Sequence, residues 1–344
     1  MLKKINIGLN KPVFIIAEIS ANHNSSLSTA KKMIVEAAKT GVSAVKIQTY
    51  TPEEMTLNTS EGGFFIKEKN SLWRGQKLFD LYKKGTTPRE WHAELFKTAR
   101  KNNIILFSTP FSISAVDFLE KFNPPLYKIA SFENNDYELI SRVIRTRKPI
   151  IISLGMAKEN EIIDIVSFAK KKKAKKIILL KCTSSYPAPF EDLNLSTIKY
   201  LREKFNCEIG FSDHSIGIIP AITSVAYGAS VIEKHFKINE KGLDSKFSIN
   251  QDDFKNLISG CRIAKQSRGK IFFGISKSEK NSTKYKRSLY LIKDIQKGEK
   301  ITSDHISAIR GGIGDEPKNL FKYRNRIAKK KLLSPLPLNL SLFN

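Results

Sequence analysis

Histidine and cysteine are scarce in this 344-residue chain, with five and three copies. Cys182, Cys207 and Cys261 are odd in number, scattered and without metal-ligand spacing, which argues against a disulfide framework and for reduced thiols. No apolar stretch approaches the roughly 20 residues of a membrane span. The opening MLKKINIGLNKPVFIIAEIS is broken by Asn, Lys and Pro before it reaches the roughly 7 to 15 residues of a signal-peptide core. It reads as the first strand of a protein expected to be cytoplasmic, with no membrane partner. Acidic residues are also short, 33 against 59 Lys and Arg, giving a net charge of +26. That excess, and the run KKKKAKKIILLK from Lys170, raise a nucleic-acid-binding role. The lysines are nevertheless spread along the chain, with no recognition module or aromatic-interleaved basic patch, so no nucleic-acid partner is expected. The positive field would instead draw anionic substrates inward.

What is present is a strand-and-helix rhythm. Eight β-rich runs can be counted over the first 240 residues, at 13–20, 44–50, 104–111, 126–131, 149–155, 176–183, 208–213 and 230–236. Helical periodicity fills the gaps: in SLSTAKKMIVEAAKTG, Leu27, Ala30, Met33, Ile34 and Ala37 follow the 3, 4 spacing of a buried face and Gly41 supplies the stop. Eight such units with right-handed crossovers predict an α/β fold, a (β/α)8 TIM barrel, whose chemistry sits at the C-terminal ends of the strands. An open doubly wound sheet is disfavoured because no glycine-rich phosphate loop follows the first strand. The rhythm is lost over RGKIFFGISKSEKNSTKY, which places a domain boundary there: 1–278 as the barrel and 279–344 as a small C-terminal domain of short strands.

Polar residues interrupt the apolar strand runs. Glu18 aligns with Phe14 and Ile16, Lys46 and Gln48 share one face by the two-residue period, and Lys128 breaks LYKIAS. An unpaired buried Lys or Glu costs several kcal/mol, so each needs a counter-charge or a ligand. With Ser108, Thr109, Ser131 and Ser153 at strand C-termini, the two lysines point to an anion site suited to phosphate. Three of the five histidines, His23, His214 and His235, fall at strand ends on the same rim. Strands seven and eight are neighbours in a closed barrel, so His214 and His235 can converge on one divalent ion. Two imidazoles leave positions for water and a substrate oxygen, as Lewis-acid activation of a carbonyl requires. Asp213 is expected either to orient a ligand or to cap the next helix. Cys182 is set aside as nucleophile or third ligand, since no His lies near it in sequence. A Schiff-base aldolase using Lys128 or Lys46 remains an alternative chemistry.

The motifs FIIAEISANHNSS, VKIQTY, STPF, YKIASFE, CTSSYPAP, GFSDHS and IEKHF, in that order, resemble the sialic acid synthase family over nearly the whole chain. RSLYLIKDIQKGEKIT resembles that family's C-terminal antifreeze-like (SAF) domain. The resemblance implies a transferase that condenses phosphoenolpyruvate with an N-acylated amino sugar. It also implies a homodimer in which the C-terminal domain covers the partner's active site. Lys46, Thr109, Lys128, Ser131 and Ser153 would hold phosphoenolpyruvate. His214 and His235 would be both catalytic and the ligands of Mn2+, or of Mg2+ or Co2+ in its place. Glu18 and Glu133 would serve proton transfer and positioning. Gln48, Tyr186 and Asp244 would contact the sugar, and Arg310 of the other subunit its acylamino group. Two departures stand out: the chain reads IRGGIG from Ile309 where the family usually has Pro and Gly after the Arg, and Ser25 stands where Gly is common. GLDSKFSI, SLWRGQKLFDLYKKGTTPREWH and IASFENND resemble the pseudaminic branch, with N-acetylneuraminate or legionaminate synthesis as the alternatives. A deoxy, diacetamido sugar wants a more apolar pocket, and Trp73 would supply part of it.

Overall fold

The computed structural model describes residues 5–69 and 71–344. The chain divides into two compact units, the first ending at Gly269 and the second beginning at Lys270. That places the boundary earlier than the 278/279 expected from composition. The helix Gln251–Arg268 ends at Gly269, and no helix or strand follows until Lys280.

All eight expected strands form in the first unit: β1 Phe14–Glu18, β2 Ala44–Thr49, β3 Ile105–Pro110, β4 Tyr127–Ile129, β5 Ile150–Ser153, β6 Ile177–Cys182, β7 Glu208–Asp213 and β8 Val231–His235. They pair in chain order, all parallel, and β8 closes onto β1 with Phe14 opposite Val231 and Glu18 opposite His235. The first helix, α1 Leu27–Thr40, shows how locally the sequence sets these units. Ser26 caps it by accepting from Thr29 N–H, its apolar face buries Met33, Ile34 and Ala37, and Gly41 ends it at φ +90°, where a Cβ would be strained.

The two-residue period sorts every strand residue to one side of the barrel wall. Ile15, Ala17, Val45, Ile47, Leu179, Ile209, Phe211 and Ile232 face outward into the core shared with the helices. Phe14, Ile16, Ala44, Ile105, Phe107, Ile151, Ile178, Leu180 and Val231 belong to a second, separate core inside the barrel. Each Val, Leu, Ile or Phe among them contributes about 1.5–3 kcal/mol on full burial. This inner core plugs the barrel, so the inward positions one step further along each strand become the floor of a site. Those positions hold Glu18, Lys46, Thr109, Lys128, Ser153, Cys182, Ser212 and Glu233.

The second unit contains a three-stranded antiparallel sheet in the order β10 Ile306–Arg310, β9 Arg287–Leu291, β11 Leu336–Pro337. Its own core is Leu289, Leu291, Ile295, Ile301, Tyr323, Leu332 and Phe343. Among the described residues, no helix is long and apolar enough to cross a membrane.

Candidate active site

A cavity of about 830 Å3 opens above the inner core, lined from all eight strand ends or the loops that follow them. Its base is a layer of buried charge. Lys46 Nζ pairs with Glu18 Oε2, lies 3.7 Å from Glu233 Oε2 and donates to Thr109 Oγ1 at 2.9 Å. Lys128 Nζ lies 3.4 Å from Glu233 Oε1, which also accepts from Ser212 Oγ at 3.1 Å. Burial works against the charge of Lys46, but Glu18 and Glu233 outweigh it and hold the ammonium above its ordinary range. Burial lowers Lys128 further than Glu233 raises it, with Lys46 adding repulsion. Burial opposes the Glu233 carboxylate too, yet Lys128 and Lys46 hold it well below the usual range. Two lysines therefore face two glutamates, and Lys128 is the under-compensated member, with a charge that an incoming anion would stabilise.

Hydroxyls surround that charge. Ser153 Oγ is buried and has no partner among the described residues. Ser131 Oγ accepts from Gly155 N–H at 3.2 Å, and a Cβ at residue 155 would overlap both the Ser131 and Ser184 hydroxyls, so glycine is needed there. Lys46, Thr109, Lys128, Ser131 and Ser153 all line the cavity, as a phosphate and carboxylate site requires. Ser108 does not belong with them. Its parity points it outward, where it bonds Thr49 Oγ1 at 2.6 Å, and Thr49 in turn meets His92 Nε2 at 2.8 Å. Glu18 likewise is absent from the cavity wall. Its Oε1 accepts from Ser20 N–H at 2.7 Å and its Oε2 meets Lys46, so it positions the lysine from below.

His214 and His235 stand together on the rim, ring centroids 5.4 Å apart. His214 Nδ1 donates to Thr183 O at 3.0 Å, and His235 Nδ1 lies 3.4 Å from Asp244 Oδ2. The first contact assigns the proton of His214 to Nδ1 and leaves its Nε2 free to bind a metal; on His235 the carboxylate beside Nδ1 favours the same tautomer, while Nδ1 makes no hydrogen bond among the described residues. Among the described residues no cluster of three or more His, Cys, Asp or Glu could hold an ion. Two adjacent imidazoles are nonetheless a donor pair that suits a divalent ion, with its other positions open to substrate and water.

Asp213 plays neither role expected of it. On β7 its parity is outward, and its partner across the register, Lys234, is outward too. The two form a buried ion pair at 3.0 Å, and Asp213 Oδ1 also accepts from Ser215 N–H at 2.9 Å. Neither a metal ligand nor the helix Ile219–Ala226 depends on it. His23 also leaves the rim: it is fully buried outside the cavity against Trp91, and burial lowers it to about 4. Cys182, by contrast, lies closer to the chemistry than its surroundings in sequence suggest. β6 and β7 bring its Sγ to 3.8 Å from His214 Nδ1. Burial would raise the thiol, but His214 outweighs it and brings it to about 7.

The outer half of the cavity is aromatic. Tyr186 stacks obliquely on His214 at 4.4 Å, Phe247 lies 4.9 Å from His235, and Trp73 reaches Tyr186 at 6.0 Å. Gln48 donates to Ser20 Oγ at 3.1 Å on the same wall. Asp244 is held by Asn22, whose Oδ1 accepts its N–H at 3.1 Å; burial would raise the carboxyl, but His235 outweighs it and lowers it. Glu133 faces in from the other side, its Oε2 buried and without a partner among the described residues, and burial pushes it up to about 7. Arg310 lies in the second unit, at the exposed end of β10. Glu233 is the principal residue that motif reading passed over, although its place two residues before His235 puts it on the same inward face.

A family model described as the NeuB family matches residues 33–272. The chain is 43% identical to a pseudaminic acid synthase of Campylobacter jejuni over 94% of both chains. It is 42% identical to a pseudaminic acid synthase of Helicobacter pylori, over 96% of this chain and 97% of that one. The solved N-acetylneuraminic acid (sialic acid) synthetase of Leptospira borgpetersenii, in complex with citrate, superposes with a TM-score of 0.74 at 33% identity, covering 83% of this chain and 95% of that chain.

Proposed function

Because the chain belongs to the NeuB family of phosphoenolpyruvate-dependent nonulosonic acid synthases, we propose that it makes pseudaminic acid. Its substrates are phosphoenolpyruvate, water and 2,4-diacetamido-2,4,6-trideoxy-β-L-altropyranose, and its second product is phosphate. The carrying observation is one inward layer that sets Lys46 and Lys128 beneath two histidines whose Nε2 atoms are free, under an aromatic roof. The two relatives named as pseudaminic acid synthases, at 42–43% identity, support this sugar over N-acetylmannosamine.

In this reading Lys46 and Lys128, with Thr109, Ser131 and Ser153, bind the phosphate and carboxylate of phosphoenolpyruvate. The anion supplies the counter-charge that Lys128 lacks. Gln48, Tyr186 and Asp244 hold the open-chain sugar with C1 facing C3 of phosphoenolpyruvate. A divalent ion, Mn2+ first, would be held by His214 and His235 and would supply Lewis-acid polarisation of the aldehyde oxygen. C3 then bonds to C1, water adds at C2, and phosphate leaves with cleavage of its C–O bond as the C2 carbonyl forms; of the two protons that water brings, one ends on the aldehyde oxygen and one on the phosphate. Glu133 Oε2, poised near neutral pH, takes the proton that the water loses. Asp244 keeps His235 in its Nδ1–H form. The protein works as a homodimer, with Arg310 of the second unit reaching an acylamino group in the partner's site.

Phosphate release from phosphoenolpyruvate, assayed with Mn2+ and each sugar in turn, tests this. A Schiff-base route through Lys128 or Lys46 would instead survive rigorous metal removal and be trapped by borohydride.

A further inference from the structure

The long connection between β2 and β3 carries an indole with nothing to bond. Trp73 lines the cavity beside Tyr186, and its Nε1–H is excluded from solvent with no acceptor among the described residues. Ser71 Oγ already accepts from the backbone N–H of Trp73 at 3.2 Å, and Glu68 Oε2 accepts from Lys67 N–H at 3.1 Å. Of the connection's other lining residues, Met55, Ile66, Leu78 and Leu81 are apolar, while Tyr50 and Tyr82 carry hydroxyls that make no hydrogen bond to the indole. A buried donor without a partner is costly, because it has given up water and gained nothing in exchange. A binding site that keeps one is complementary to a ligand that brings the acceptor, and rejects a ligand that does not.

We propose that Trp73 Nε1 donates to the carbonyl oxygen of the sugar's second acylamino group and so selects a diacetamido sugar over a monoacetamido one. The inference rests on the pseudaminic assignment above. An acetamido group suits the place on both counts: its carbonyl satisfies the indole, and its methyl packs against leucine side chains. A hydroxyl at the same carbon is shorter and carries no methyl to pack against those side chains.

The test compares wild type with Trp73→Phe, which keeps an aromatic ring and loses the N–H. KM for the diacetamido sugar should rise about tenfold, with kcat and KM for phosphoenolpyruvate unchanged within about twofold. N-acetylmannosamine, as a slow substrate or as a competitive inhibitor, should bind the two proteins equally. Trp73→Tyr is measured in the same way if the Phe variant melts early. Equal weakening of both sugars, or an unchanged KM for the diacetamido sugar, overturns the role of Trp73 while leaving the pseudaminic assignment standing. A wild type that turns over both sugars equally overturns the assignment and this inference together.

Discussion

Lys128 Nζ lies 3.4 Å from Glu233 Oε1, a contact that joins the fourth strand to the eighth across the barrel, with the two side chains 3% and 4% exposed. Removing Glu233 strands Lys128 and leaves Lys46 with Glu18 alone. Breaking a buried pair from one side typically costs about 3–5 kcal/mol. Glu233→Gln should lose stability on that scale in urea denaturation, and Lys128→Met should lose less, because Glu233 keeps Lys46. A loss below about 1 kcal/mol for Glu233→Gln would contradict the pairing.

Glu133 gives a pH signature. Its carboxyl is raised by burial from 4.5 to about 7, so the folded state binds its proton more tightly than the unfolded chain does. The stability from this group is full below about pH 4.5 and is lost as pH rises through about 7, by at most about 3 kcal/mol on the usual conversion. Glu133→Gln should flatten the fall in stability between pH 4.5 and 7 and remove the acid limb of the kcat profile near neutrality. A Gln variant with the wild-type pH profile would assign that limb to another group.

The metal ligands separate from their support. His214→Ala and His235→Ala should each abolish turnover while leaving the thermal melt cooperative. Asp244→Asn should weaken Mn2+ binding roughly 10- to 100-fold, the range usual for a lost carboxylate behind a ligating imidazole. Calorimetric titration of Mn2+ into each protein reads the difference. Unchanged affinity in Asp244→Asn would leave that residue to the sugar alone.

Asp213 and Lys234 form a structural pair behind the wall, both side chains wholly buried. Asp213→Asn should destabilise the barrel by about 3–5 kcal/mol and leave Mn2+ affinity as it is. If the variant keeps its stability and loses the metal, Asp213 belongs to the ion after all.

Much of this was legible in the sequence because a barrel strand obeys a single rule. Alternation along each strand predicts the wall, and strand counting makes His214 and His235 neighbours. The same rule, applied to every residue of each strand, turns Asp213 and Ser108 outward and Glu233 inward, because parity and not residue type decides which side of the wall a side chain takes. Other features depend on register between distant segments. Cys182 meets His214 only because β6 and β7 pair with Cys182 opposite Ser212. The unmatched indole of Trp73 arises where an irregular connection folds back over the site, a path that no local period encodes.

The most direct test of the account is phosphate release from phosphoenolpyruvate by the purified protein with Mn2+, measured with the diacetamido sugar and with N-acetylmannosamine at equal concentration. The account predicts rapid release with the first, little with the second and none after metal is stripped. Equal rates with both sugars, or full activity without metal, would contradict it.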